Sequence, residues 1–209
     1  RDRITRLVAL PLYPQYSIST TGSSINRMNE ILKQNGDRSL RITTVCSYQD
    51  DPRYVDALAA SVTEELAKFS DRSPSTTHIL FSAHSVPVSY IKEGDPYLDQ
   101  TRQTVKLVME RVGAARPHSL SFQSKVGPVE WLRPSTDETI RELASRGTSQ
   151  VLLVPVSFVS EHIETLYELD ILYRDVAREV GIKEYRRVAA LNCRPDFISA
   201  LAGLVEENL

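Results

Sequence analysis

Apolar residues along this chain follow two alternating patterns, short uninterrupted runs and longer stretches with helical spacing. The runs predict six β-strands, at residues 7–12, 40–46, 78–83, 119–123, 151–158 and 187–191. Between two of them, Val55, Leu58 and Val62 recur at intervals of three and four residues, which is typical of the buried face of a helix. Apolar strands that alternate with such helices predict a parallel sheet covered on both faces.

Capping residues mark several of the predicted helix ends. Asp51 before Pro52 predicts one helix start, and Asp95 before Pro96 predicts another. The segment 135–138 (STDE) has the spacing of a capping box. Gly147 closes the helix that this box begins.

We therefore predict a Rossmann-like α/β fold, in which helices flank a parallel four-stranded sheet, with the tail of a second similar domain. Six strands suit one complete unit plus the end of an earlier one. The boundary is expected at the polar stretch 71–75, so that residues 1–74 form the C-terminal part of the first domain and its crossover, and residues 75–209 the second domain. The chain opens at residues 1–3 without an initiator Met and soon enters a strand, which is how a fragment begins.

Composition and charge exclude several classes of protein. The 209 residues are 41% hydrophobic, which is enough for a sizeable core, and no apolar run approaches the roughly 18 residues of a membrane-spanning helix. The net charge of −2 argues against a nucleic-acid partner. The two cysteines, Cys46 and Cys193, support neither a disulfide framework nor a metal clip. A reducing compartment, the cytoplasm, is therefore expected.

Ligands of a doubly wound sheet bind at the carboxyl ends of its strands. Here the third predicted strand ends in His84, and the fifth leads to the acidic segment 160–170. The first strand runs into a hydroxyl-rich turn, 17–24, which we interpret as helix capping, with anion binding as the alternative. A histidine at a strand end can bind backbone, accept a proton or bind a divalent metal.

Glu161, Glu164 and Glu168 predict one acidic stripe, because residues three and four apart share a helix face. No Lys or Arg lies within the stripe, so it is either solvated or visited by a cation. His162 and Glu164 are two residues apart and are expected to face different ways. His84 opposite Glu164 would provide one imidazole and one carboxylate, which hold a divalent ion weakly and leave positions open.

Five segments, taken together, resemble the ferrochelatases, lyases that insert ferrous iron into protoporphyrin IX in haem biosynthesis. The matching segments are LPLYPQYS at 10–17 with STTGS at 19–23, FSAHSVP at 81–87, GDPY at 94–97, QSKVGP at 123–128 with Trp131 and Leu132 beyond it, and SEHIETLYELD at 160–170. Each segment is modest alone. Five in order across nearly the whole chain are highly specific.

The resemblance implies two chelatase-type domains with a porphyrin cleft between them, and protoporphyrin IX and Fe2+ as the partners and substrates. His84 matches the family's histidine that faces the porphyrin centre, as metal ligand, proton acceptor for the pyrrole nitrogens, or both. Glu164 matches the carboxylate opposite this histidine, and Glu168 matches the next member of an acidic metal path. That path lies on a helix which contains a widened turn in the family. We therefore predict His84 and Glu164 as catalytic residues and metal ligands, with Glu168 on the path of the metal.

Three departures from the family pattern qualify this prediction. Leu172 stands where a third acid is expected, although Asp170 and Asp175 are close to it. Ile18 stands where members with a 2Fe–2S cluster have a cysteine, and their cysteine-rich tail is missing, so no cluster is predicted. About the first third of the family's chain, with one lip of the cleft, would precede Arg1.

Two other functions stay open at this point. One is a chelatase for another tetrapyrrole and metal, such as cobalt or nickel, and the other is a porphyrin- or haem-binding fragment without catalysis. The apolar product makes peripheral contact with a membrane plausible, and an organelle is an alternative location to the cytoplasm. The sequence does not indicate an oligomeric state.

Overall fold

The computed structural model describes residues 4–35, 40–125 and 127–209, so residues 1–3 and Val126 of the predicted 123–128 loop lie outside it. The strands are β1 (Arg6–Ala9), β2 (Arg41–Thr44), β3 (Thr77–His84), β4 (His118–Gln123), β5 (Gln150–Pro155) and β6 (Glu184–Arg187). The α-helices are α1 (Ser23–Asn35), α2 (Pro52–Leu66), α3 (Val88–Lys92), α4 (Tyr97–Val112), α5 (Thr136–Ser145), α6 (Tyr173–Glu179) and α7 (Pro195–Glu206). Two segments are π-helical, and we name Ile18–Gly22 the wide turn and Thr165–Leu172 the wide helix.

The predicted four-stranded parallel sheet is present, with strand order β4-β3-β5-β6, while β1 and β2 form a separate parallel pair. Strand β3 lies between β4 and β5 in this sheet. Its register with β4 sets His84 opposite Gln123 at the carboxyl edge. The α/β fold class is thereby confirmed, whereas the domain boundary near residue 74 stays a prediction.

Helices cover both faces of the sheet, as the apolar strand pattern predicts. Ile79 and Phe81 of β3 belong to a core that includes buried residues of α2, α4 and α7. Leu80 belongs to a second core that includes buried residues of α5, α6 and the wide helix. Burial of each such side chain contributes about 1.5–3 kcal/mol, and the two cores hold β3 rigidly between helical layers.

The predicted helix starts are confirmed by their capping contacts. The Asp51 carboxylate accepts the backbone N–H groups of Arg53 and Tyr54 at 2.9 and 3.2 Å. Ser135 and Glu138 form the predicted capping box. Gly147 follows the end of α5 with a φ of +85°, a left-handed conformation that favours glycine.

Four of the predicted strands have wrong bounds. The first and second strands end at Ala9 and Thr44 rather than at residues 12 and 46. The fifth strand ends at Pro155 rather than at residue 158, and the last strand lies at Glu184–Arg187 instead of 187–191. The apolar run after Arg187 misled the prediction, because Val188 and Leu191 are buried in the core from a loop. These residues are apolar because they are buried, although they are not part of the sheet. In the described part of the chain, no helix is both long and apolar enough to cross a membrane.

Buried Asp95 joins the N-terminal segment to the four-stranded unit. Its carboxylate accepts the Ser17 hydroxyl and the Ile18 N–H at 2.8 Å each, and the Tyr97 N–H at 2.9 Å. Only 6% of Asp95 is exposed. These bonds hold the wide turn against the start of α4, beside the carboxyl edge of the sheet.

Replacing Asp95 by Ala should lower the free energy of unfolding by about 2–4 kcal/mol, because three donors lose their charged acceptor in a buried site. The matched control is Asp99→Ala, since the Asp99 side chain is 87% exposed and lies nearby on α4. The control should change stability by about 0.5 kcal/mol or less. Urea unfolding measures both variants, and equal midpoints would contradict this role of Asp95.

Candidate active site

His84 ends β3, and its surroundings fix both its backbone and its ring. The backbone N–H donates to the Ser157 hydroxyl at 2.8 Å, and the carbonyl oxygen accepts the Tyr97 hydroxyl at 2.8 Å. The ring Nδ1 lies 2.7 Å from the carbonyl oxygen of Ser85. A carbonyl oxygen only accepts, so this bond assigns the proton to Nδ1. In the neutral ring, Nε2 therefore keeps a free lone pair.

Glu164 faces this lone pair. Its Oε2 lies 3.6 Å from the His84 Nε2, and both side chains are about one-third exposed. Among the described residues, the buried Oε2 has no hydrogen-bond partner. Two groups that both offer electron pairs thus face each other, which is an arrangement that a proton or a cation stabilises. The structure brings the two predicted residues together, while their catalytic role stays a prediction.

Both residues line a cavity of about 600 Å³ at the carboxyl edge of the sheet. This volume is in the range of small-molecule sites. Its walls combine apolar and aromatic side chains with several hydroxyl groups. The lining residues that matter here are Leu12, Tyr13, Ser17, Ser19, Trp131 and Phe158. Ser17 caps the wide turn, which agrees with the predicted capping role of the hydroxyl cluster.

The predicted acidic stripe is wrong for Glu161. This residue precedes the helical stretch, and its carboxylate accepts from Arg187 at 2.7 Å and from the Thr165 hydroxyl at 2.6 Å. Burial alone would raise the pKa of Glu161, but hydrogen bonds from Thr165, Arg187 and the Ala190 amide outweigh it and lower that pKa. The prediction assumed a regular helix, and the neutralising cation comes from β6.

His162 lines the same cavity as Glu164, contrary to the expectation that they face different ways. The reason is again local, since His162 lies just before the first helical residue, Ile163. The His162 Nδ1 accepts the Glu164 N–H at 3.2 Å. The centroid of the His162 ring lies 4.4 Å from that of the Phe158 ring, in an edge-on contact. His162 therefore contacts the backbone of Glu164 on one side and a wall of the cavity on the other.

Glu168 opens to a different depression from Glu164. Its Oε2 accepts the Ser124 hydroxyl at 2.7 Å and the Gln123 amide at 3.3 Å. Leu172 lines the same depression of about 400 Å³. Asp170 does not extend the predicted metal path, because its Oδ2 pairs with Arg187 Nη2 at 2.6 Å. The acids that face open space from the wide helix and its start are thus Glu164 and Glu168.

Few protein ligands surround the His84–Glu164 pair. Within residues 4–35, 40–125 and 127–209, no three His, Cys, Asp or Glu side chains are close enough together to hold a metal ion. A metal at this pair would have one nitrogen and one carboxylate ligand from the protein. Its remaining positions would be open to other donors.

Sequence reasoning missed three contributors to the site. Ser157 and Phe158 follow the carboxyl end of β5, so the rule that located His84 also indicates them. Arg187 gave no such signal. Its partners Glu161 and Asp170 lie 26 and 17 residues away along the chain.

The fold is an α/β fold of the chelatase type, and two solved structures share it. The structure of SirB from Bacillus subtilis with Fe3+ matches with a TM-score of 0.68 at 12% identity, covering 99% of this chain and 72% of SirB. A structure of CbiX, the terminal enzyme for siroheme biosynthesis in denitrifying bacteria, matches with a TM-score of 0.63 at 14% identity, covering 99% of this chain and 77% of CbiX. At these identities the likeness shows the fold alone.

Sequence comparison defines the family. The ferrochelatase family model matches residues 1–209, and this chain belongs to the ferrochelatase family. It is 50% identical to a ferrochelatase of Synechococcus sp. (strain JA-2-3B'a(2-13)) and 51% identical to that of Geotalea uraniireducens (strain Rf4), in each case over 100% of this chain. These matches cover 60% and 64% of the two relatives. The chain therefore spans less than two thirds of their length.

Cobalt(II) should bind the 209-residue chain weakly at the His84–Glu164 pair, because two ligands with open positions give modest affinity. Titration followed by the visible absorption of Co2+ should show this binding, and His84→Ala should abolish it. The matched control is His118→Ala, because His118 also pairs its Nδ1 with a carbonyl oxygen but is exposed at the start of β4. Unchanged Co2+ binding in the His84 variant would contradict the site.

Proposed function

We propose that this chain carries the metal-insertion site of a ferrochelatase, and that the reaction inserts Fe2+ into protoporphyrin IX with release of two protons. The observation that carries the proposal is the free lone pair of His84 Nε2, which faces an unpartnered carboxylate oxygen of Glu164 at 3.6 Å. Membership of the ferrochelatase family supports the choice of porphyrin and iron.

The two facing groups suit the proton balance of this reaction. Two pyrrole nitrogens must each lose a proton before they bind the metal. The free Nε2 of the His84 ring is a suitable proton acceptor, and the Glu164 carboxylate opposite it provides a second acceptor. The same carboxylate stabilises the incoming cation, so metal binding and proton removal take place at one point in the cavity.

The cavity walls suit a flat, largely apolar ring with polar edges. Tyr13, Trp131 and Phe158 provide aromatic surface, while Ser17 and Ser19 provide hydroxyl groups. Aromatic and apolar walls bind such a ring by excluding water, and the hydroxyl groups fix its orientation. The chain spans 60% and 64% of the two related ferrochelatases, and further porphyrin contacts would lie in the part of these proteins beyond the match.

We assign Glu168 to the path by which the metal reaches Glu164. It lies one turn along the same helical stretch, its carboxylate accepts hydrogen bonds from Ser124 and Gln123, and Lys125 lines the same depression. Leu172 ends this path where an acid would otherwise extend it. The path would then consist of two carboxylates, Glu168 followed by Glu164.

A second candidate function is porphyrin or haem binding without catalysis. The aromatic and apolar walls of the cavity support it, because they suit ring binding whether or not a metal is inserted. An absorbance titration with protoporphyrin IX separates the candidates: binding without conversion after Fe2+ is added supports the second one. A panel of tetrapyrroles with cobalt and nickel tests the related case of a chelatase with another substrate.

We also propose where the protein is located, what it contacts and which cofactor it lacks. Two free, exposed cysteines, Cys46 and Cys193, support a reducing location such as the cytoplasm. The apolar product supports peripheral contact with a membrane. That the protein works without a 2Fe–2S cluster stays a prediction from Ile18.

Replacing His84 by Ala or Glu164 by Gln should lower the rate of Zn2+ or Fe2+ insertion by at least about a hundredfold, because each change removes a proton acceptor and metal ligand. Porphyrin absorbance measures the rate. His118→Ala and Glu179→Gln are controls, since both residues are exposed and outside the cavity. Turnover near that of the unaltered chain in either site variant would disprove the proposed roles.

A further inference from the structure

Arg187 is the most enclosed cation near the site, and the proposed mechanism does not use it. It ends β6, and only 9% of its side chain is exposed. Its Nη1 donates to Glu161 at 2.7 Å, while its Nη2 and Nε donate to the two oxygens of Asp170 at 2.6 and 2.9 Å. One guanidinium group therefore binds a carboxylate before the wide helix and another within it.

A regular helix could not make this pair of contacts. Glu161 and Asp170 are nine residues apart, and nine steps of roughly 100° would leave their side chains about half a turn out of phase. The irregular start at Glu161 and the wide helix together bring both carboxylates to one cation. The contacts of Arg187 are thus specific to the widened conformation of this segment.

Further bonds from the same strand and the loop after it fix the two ends of the segment. The Ala190 N–H donates to Glu161 at 2.8 Å, and Asn192 accepts the Glu161 N–H at 2.9 Å. The Tyr185 hydroxyl donates to the carbonyl oxygen of Leu169 at 2.7 Å. Arg187 is the member of this set that contacts side chains at both ends.

The residues between the two anchored ends are those of the proposed site. Glu164 faces His84, and Glu168 faces Ser124. π-Helical geometry is rare, which indicates that it persists where other contacts favour it. A shift of either carboxylate by about 1 Å is enough to slow a positioned reaction severely.

We propose that Arg187 is a positioning residue for metal insertion, which holds the segment between Glu161 and Asp170 in its wide form and so aims Glu164 at His84. This inference rests on the proposed function of the His84–Glu164 pair. It adds that Glu161 and Asp170 hold the segment in place and do not bind the metal. Because both of these acids are paired with Arg187, Glu164 and Glu168 are the acids available to a cation.

The test compares Arg187→Lys and Arg187→Met with Arg186→Lys and Arg186→Met. Arg186 is the matched control, because it lies beside Arg187 on β6 and also binds two carboxylates, those of Glu184 and Glu65. Lysine keeps the charge but lacks the planar fork that binds both partners of Arg187. The Lys variant therefore tests the geometry even if the Met variant, with two unpaired acids, fails to fold.

In the 209-residue chain, Arg187→Lys should lower kcat for Zn2+ insertion by about tenfold or more while KM for porphyrin stays near its original value. Arg187→Met should be slower still, so that Lys rescues part of the rate, and the Arg186 variants should resemble the unaltered chain. A kcat equal in the Arg187 and Arg186 variants, or a parallel change of KM and kcat, would overturn the proposal.

Amide hydrogen exchange of residues 161–172 tests the role of Arg187 without a measurement of turnover. Exchange in this segment should accelerate in Arg187→Lys and not in Arg186→Lys, because only the former loosens the anchored ends. Equal exchange in the two variants would overturn the role of Arg187. If the unaltered chain inserts no metal, the proposed function fails, whereas selective acceleration would still show that Arg187 holds the wide segment.

Discussion

The chemistry of the cavity depends on one hydrogen bond, which the His84 Nδ1 donates to the Ser85 carbonyl oxygen at 2.7 Å. This bond leaves Nε2 unprotonated in the neutral ring and points its lone pair at Glu164. Without it, the ring could turn or change tautomer, and the carboxylate would face a proton donor instead. The rest of the local structure keeps this geometry: β3 fixes the backbone of His84, Ser157 and Tyr97 bind its peptide groups, and the wide helix sets the opposite wall.

The sheet and half of this site follow from the sequence by simple physics. Apolar runs and capping residues predicted the parallel sheet, and the rule that ligands bind at carboxyl ends selected His84. These predictions succeed because burial and capping are local or periodic signals. The wide helix is different, since its register depends on contacts with β6 that lie far away in sequence. Glu161 was consequently assigned to an acidic stripe, although it binds Arg187.

The distribution of charge around the site separates carboxylates that hold the fold from those that face open space. Arg187 binds Glu161 and Asp170, and Asp95 holds the wide turn through uncharged donors. Glu164 and Glu168 have no such cationic partner among the described residues. Glu164 faces the His84 imidazole in the cavity, whereas Glu168 opens to a second depression that Lys125 also lines.

If His84 and Glu164 act as one unit, their effects on metal insertion must depend on each other. A double-mutant cycle with His84→Ala, Glu164→Gln and the combined variant measures this coupling through kcat for Zn2+ insertion. A joint action predicts that the combined variant is no slower than the more damaged single variant, because loss of either residue already disables the pair. Effects that multiply would contradict it, since they would show that the two residues act independently.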